Sequence, residues 1–97
     1  MSAVAVPPAV RAIKEQVAAE WRITLADLDS RSRTDQIAHA RHEAMFRIRN
    51  ELAGKSFPWI GRQFGQPYFD HTSVRHGING HARRVREGTL KKPGTIR

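Results

Sequence analysis

Residues 56–78 constrain the fold more than any other stretch of the chain. Ser56-Phe-Pro-Trp-Ile-Gly-Arg-Gln-Phe-Gly65 reads as a short helix with a serine cap, a proline in its first turn and a glycine stop. A tight polar turn follows, and Asp70-His-Thr-Ser73 opens a second helix on hydrogen-bonding rather than apolar side chains. That order is the helix-turn-helix pattern, in which the first turn of the second helix meets base edges.

Upstream, the periodicity is helical throughout. Pro8 suits a first helical turn, and Val10, Ile13, Val17 and Trp21 recur at spacings of three and four, which predicts a helix over 8–21 with one apolar stripe. Thr24-Leu-Ala-Asp27 has the form of a capping box with aspartate in place of glutamate, opening a single turn that carries Leu25 and Leu28 inward. Asp29 to Arg33 is a polar connector. A long helix is predicted from about Thr34 to Leu52, with Ile37, Arg41, Ala44, Met45, Ile48 and Leu52 on one side and Gly54 as its stop. Trp59, Ile60 and Phe64 are available to the core. The expected fold class is all-α, a small helical bundle of the Trp-repressor-like kind with one helix-turn-helix.

At about 100° per residue, Thr72, Arg75, His76, Asn79, Arg83 and Arg86 gather on one side of the last helix, and Val74, Ile78, Ala82 and Val85 on the other. One face is read as core and the other as a cationic surface that holds no carboxylate before Glu87. Gly77 and Gly80 weaken this helix by about 1 kcal/mol each relative to alanine, which predicts a C-terminal half that orders fully on binding. The domain is expected to occupy residues 1–87, and 88–97, with Lys91-Lys92-Pro93-Gly94, to be a basic disordered tail.

Charge names the class of partner. Seventeen Lys and Arg against nine Asp and Glu give a formal net charge of +8 on 97 residues. A polyanion is therefore the leading expectation, and one small domain has no room for a large catalytic cleft. The apolar stretch 3–10 is short, broken by Pro7-Pro8 and not preceded by basic residues, so it reads as neither a signal peptide nor a membrane span. A soluble, unexported protein with no membrane partner is the expectation. The absence of cysteine removes disulfides and thiolate metal sites.

From about Val17 to Ile78 the chain resembles the C-terminal DNA-binding domain, domain IV, of the bacterial replication initiator DnaA. The matching pieces are Ile23-Thr-Leu-Ala-Asp-Leu28, Arg33 ahead of the long helix, Ile37-Ala-His-Ala-Arg41 with Ala44-Met45, Ser56-Phe-Pro-Trp-Ile-Gly61, Phe64-Gly65, and Asp70-His-Thr-Ser-Val74 with His76. The resemblance implies a ligand of duplex DNA of the DnaA-box type, an asymmetric site related to TTATNCACA. It implies base contacts in the major groove from Asp70, His71 and Thr72, with Ser73 on base or phosphate, and chemistry agrees: a carboxylate accepts from a cytosine amine, and a threonine methyl packs on thymine. Asp70 also serves as a helix cap. Arg33 matches the arginine that enters the adjacent minor groove. Arg41 and the Ser56-Phe57-Pro58 helix start match positions at the DNA backbone, although Arg41 could equally neutralise a carboxylate at the core edge.

Two departures stand out. The family turn reads Gly-Gly-Arg-Asp-His, whereas Gly65-Gln-Pro-Tyr-Phe-Asp-His71 is two residues longer and has Phe69 where the arginine should be. One cationic contact is expected to be lost and the recognition helix to be re-aimed. One extra residue between Met45 and Ser56 leaves open whether Arg49 or Asn50 takes the basic position near the end of the long helix.

Other chemistry finds little footing. Gly54-Lys55-Ser56 resembles the end of a phosphate-binding loop, but the glycine required five residues earlier is Arg49, so no nucleotide site is expected. His71, His76 and His81 fall about 140° apart on a helix and cannot share a metal, and His39 with His42 lacks nearby ligands, so neither metal nor cofactor is expected. No nucleophile, base and orienting acid assemble, which points away from an enzyme. The reading is a free-standing duplex-binding protein, with Met1-Ser-Ala as a native start, that regulates replication initiation or transcription and could engage a replication or regulatory protein. The alternatives are a piece of a full-length initiator and a protein-interaction module presenting Trp59, Tyr68 and Phe69.

Overall fold

The computed structural model describes residues 6–93 as helices joined by short loops: α1 (Pro8–Trp21), α2 (Leu25–Leu28), α3 (Asp35–Glu51), α4 (Phe57–Gly61) and α5 (His71–Glu87). Local signals explain most of the boundaries. Pro8 starts α1, and Arg22 ends it in the left-handed region at φ 59°, its N–H returning to the carbonyls of Ala18 and Ala19. The capping box over Thr24 and Asp27 forms in both directions, each bond 3.0 Å long. Ser56 and Asp70 cap α4 and α5 by accepting from the N–H of Trp59 and Ser73.

The central element is α3, which packs against all four others. Val10, Val17 and Trp21 of α1 meet Ala40, Ala44, Met45 and Ile48 of α3, and Leu28, Ile60, Phe64 and Val74 close the core. Each large apolar side chain buried here contributes about 1.5–3 kcal/mol. Two polar donors are pinned inside the same layer. Lys14 donates to Asp29 Oδ1 (2.7 Å) and to the carbonyl of Gln63 (2.6 Å), which ties α1 to the α2–α3 connector and to the end of α4. Trp21 Nε1 donates to Glu43 Oε1 at 2.8 Å.

The structure departs from the sequence reading at several places. Helix α4 ends at Gly61 rather than Gly65, and Gly65 acts further on, turning the chain at φ +74° where a Cβ would stand 2.7 Å from the Asp29 carbonyl oxygen. Helix α5 is continuous to Glu87. Its Gly77 serves contact instead, since a Cβ there would lie 2.7 Å from His42 Cδ2. Val85, assigned to the core arc, is 55% exposed, and Ile78 and Ala82 are only half-buried, because Gly77, Gly80 and His81 take the inner face. Ile37 and Leu52 are likewise half-buried.

The described part of the tail folds back. Leu90 packs on the core, and Lys92 Nζ donates to Glu20 Oε1 and Glu43 Oε2, both at 2.9 Å. Burial opposes the Lys92 charge, yet those carboxylates carry its pKa above the ordinary lysine value. Residues 89–93, which the sequence reading assigned to a basic disordered tail, thus lie against α1 and α3. Residues 94–97, and the start at Met1, lie outside the described residues. No helix among the described residues is long and apolar enough to cross a membrane.

Candidate nucleic-acid interface

Helix α5 is the second helix of the unit, held by α3 on one side and α4 on the other. Val74 is fully buried and anchors its first turns, while Asp70 caps it with a 2.8 Å bond from Ser73 N. That hydrogen bond, with a second from the Ser73 side chain, holds the Asp70 carboxyl below the usual carboxylate range. His71, Thr72, Ser73, Arg75, His76, Asn79 and Arg83 are all exposed. The sequence wheel therefore places the polar arc on the outer side, with its first turn uncovered.

Beside that turn runs a groove of about 500 Å³ between the α2–α3 connector and α5. Arg31 and Arg33 form one rim, Ser73 and His76 the other, and Met45 and Phe69 are among the apolar groups below. Arg33 is exposed, as a residue reaching toward a ligand must be. Arg41 is not: it is 5% exposed, and its guanidinium donates to the carbonyls of Leu28 (3.0 Å), Ser30 (2.8 Å) and Ser32 (3.2 Å). Burial, and next the neighbouring Arg31 charge, lowers its pKa. Arg41 is the strut that shapes the connector carrying Arg31 and Arg33; it also lines the groove, and the Asp29 carboxylate favours its charge.

Ser56, Phe57 and Pro58 do not line this groove. They open α4, where Arg49 donates to the Lys55 carbonyl at 2.7 Å and stacks 4.4 Å over the Phe57 ring. Arg49 is thus folded onto α4, and Asn50 is exposed beside it. Two arginines were not singled out in the sequence. Arg31 lies 3.9 Å over the Phe69 ring, and Arg84 reaches from α5 to His42 on α3. The first could have been suspected from a basic pair at 31 and 33 facing an aromatic in place of a turn arginine; nothing in the periodicity points to the second.

The α3–α5 seam beneath the interface is polar at its centre. Arg84 Nη2 stands 3.1 Å from His42 Nδ1. A guanidinium only donates, so Nδ1 accepts and the ring is neutral with its proton on Nε2. Burial is the main cause that pushes the His42 pKa down to about 4, and the Arg84 charge adds to it. His81 packs against Phe46 with ring centroids 4.8 Å apart and planes inclined at 55°, and burial also lowers its pKa.

The sequence profile described as bacterial dnaA protein helix-turn-helix matches residues 10–80, a span that runs from the first turn of α1 to the middle of α5. The chain belongs to that family. Among full-length relatives of this DnaA-type domain, the chromosomal replication initiator protein DnaA of Thermoanaerobacter sp. (strain X514) is 38% identical over 81 residues, which are 84% of this chain and 17% of that protein. The protein of the same name from Caldanaerobacter subterraneus subsp. tengcongensis is 45% identical over 67 residues, 69% of the chain and 14% of that protein. That of Limosilactobacillus fermentum is 39% identical over 75 residues, 77% of the chain and 16% of that protein. The DnaA-type domain described here therefore spans about a sixth of the curated relatives it matches.

Proposed function

We propose that this DnaA-type domain binds duplex DNA in a sequence-dependent way, reading bases in the major groove through the first turns of α5 and acting by occupancy rather than catalysis. One observation carries the reading: on a capped, core-anchored helix the side chains of His71, Thr72 and Ser73 are exposed together, with Arg75, His76, Asn79 and Arg83 continuing the same arc. Imidazole and hydroxyl groups on the first turn, with guanidinium groups beyond them, suit base edges first and phosphates further along. Arg33, from the connector, reaches the neighbouring minor groove in this account. The preferred site is of the DnaA-box type, and its occupation competes with initiation or represses a promoter. Such a protein works in the cytoplasm, at the nucleoid.

The rival reading, a protein-docking surface of aromatics, has weak support. Trp59 is half-buried beneath Lys55 Nζ at 4.7 Å, and Phe69 is half-buried beneath two arginines. Only Tyr68 of the three is exposed, at 41%.

Separating affinity from specificity tests the proposal. His71→Ala and Thr72→Ala are each expected to weaken the preferred site by about 1–3 kcal/mol and to narrow the gap to random DNA. Arg83→Ala is expected to weaken all duplexes alike and to make the salt dependence shallower by about one contact. Fluorescence anisotropy on a site selected from random duplexes and on a scrambled duplex measures both. Identical behaviour of His71→Ala and Arg83→Ala across the two would refute the groove assignment.

A further inference from the structure

Arg31 comes from the α2–α3 connector and Phe69 from the turn before α5, far apart in sequence, and the fold stacks one on the other. The guanidinium carbon stands 3.9 Å from the ring centroid. Phe69 is half-buried and packs against the core, while Arg31 is exposed, so the ring is the fixed partner and the charge faces outward. Arg41 approaches the same ring at 4.9 Å, but its donors are taken by three carbonyls. Arg31 makes no ion pair or hydrogen bond among the described residues, and neither does Arg33.

The groove that these two arginines border has the chemistry of an oxyanion seat. Its opposite rim offers the Ser73 hydroxyl and the His76 ring, and no carboxylate among the described residues lines it. Its volume, about 500 Å³, exceeds what a lone phosphate fills. Phe69, half-buried among the lining groups, gives apolar surface for a sugar next to the phosphodiester. Resting on the duplex-binding reading, we propose that this groove seats one backbone phosphate of the DNA strand that borders α5, with Arg31 as its ligand and Phe69 as the positioning residue that aims it. The longer turn then does not remove a cation from the DNA side. It supplies the plate on which a cation from another loop is mounted, and a planar guanidinium on a fixed ring loses less freedom on meeting a phosphate than a mobile one does.

Anisotropy titrations of the whole chain on a selected duplex and on a scrambled one, each over a range of NaCl concentrations, test this. Arg31→Gln is expected to lower affinity about tenfold on both duplexes and to make the slope of log K against log salt shallower by about 0.9. Arg31→Lys keeps the charge but not the planar stack, so it should hold the slope and lose several-fold in affinity. Phe69→Leu is expected to weaken binding several-fold when Arg31 is present and to add nothing in the Arg31→Gln background, the non-additivity that a positioning role requires and a merely structural role does not produce. Wild-type affinity and slope for Arg31→Gln would overturn the seat, and an equal Phe69→Leu effect in both backgrounds would overturn the plate. If His71→Ala weakens the selected site while Arg31→Gln does not, the groove assignment falls and duplex binding stands. If the unaltered chain binds no duplex, both fall.

Discussion

Replacing Gly61 with alanine is expected to cost about 3 kcal/mol of folding stability and to weaken duplex binding as well. Gly61 lies in the last turn of α4, under the strand of chain that leads into α5. A Cβ at this position would overlap the Phe69 carbonyl oxygen and stand 3.0 Å from its carbon and 3.2 Å from Val74 Cγ2. Phe69 N–H also donates to the Gly61 carbonyl, at 3.4 Å. The oxygen belongs to backbone, so no side-chain rotation relieves the overlap, and the 66–69 turn has to move away from α4. That movement carries the Asp70 cap and the Phe69 ring with it, which is why binding should fall together with stability. Gly54 provides the comparison. It adopts φ +85° with nothing within 4 Å of a Cβ, so alanine there meets backbone strain alone, about 1 kcal/mol. Urea unfolding of both variants measures the difference. A Gly61→Ala variant no less stable than Gly54→Ala would contradict the packing of the turn on α4.

The second large effect is on pH. His42 ionises near its ordinary value of 6.5 in the unfolded chain but is held down to about 4 in the fold, so the unfolded state binds the extra proton first. Its contribution is fully present above pH 6.5 and is lost as pH falls from there through about 4. At about 1.4 kcal/mol per pKa unit, the loss amounts to roughly 3 kcal/mol at most. Burial shifts His39 and His81 in the same direction, so they add to the trend. Protonation also turns the Nδ1 acceptor into a donor facing the Arg84 guanidinium. His42→Asn keeps an acceptor for Arg84 and removes the titration. It is expected to flatten the fall in urea midpoint between pH 7 and pH 4, whatever its own stability at pH 7. An unchanged fall in that variant would show that the α3–α5 seam is not what titrates.

How much of this was legible in the sequence depended on whether a signal was local. Thr24 with Asp27, Ser56 with Pro58, and Asp70 ahead of Ser73 each satisfy orphan N–H groups within one turn, so their spacing alone located three helix starts. The apolar stripe Val10, Ile13, Val17, Trp21 likewise specified which side of α1 is buried. Side chains whose partners are distant gave no such signal. Lys14 is buried because a carbonyl 49 residues away accepts from it, and Arg41 because it collects three carbonyls from the connector. The helical spacing set Arg41 on the apolar side without naming its partners, and it gave no sign that Lys14 is buried. Gly77 read as a helix weakness until the His42 ring was found against it, and the inner face of α5 was misassigned for the same reason. In the candidate interface, the exposed arc from His71 to Arg83 follows from periodicity. The Arg31–Phe69 stack does not, since it joins two loops whose relative position only the packed core determines.

The central claim is that the outer face of α5 and its flanking groove meet duplex DNA, and a salt titration of binding tests it most directly. A domain that meets about five to seven phosphates at about 0.9 released counterion per contact should show a slope of log K against log salt of about −4 to −6. The same titration on a scrambled duplex should give a similar slope at lower affinity, because phosphates set the salt dependence and bases set the difference. A flat salt response, or no duplex binding even in low salt, would contradict the account.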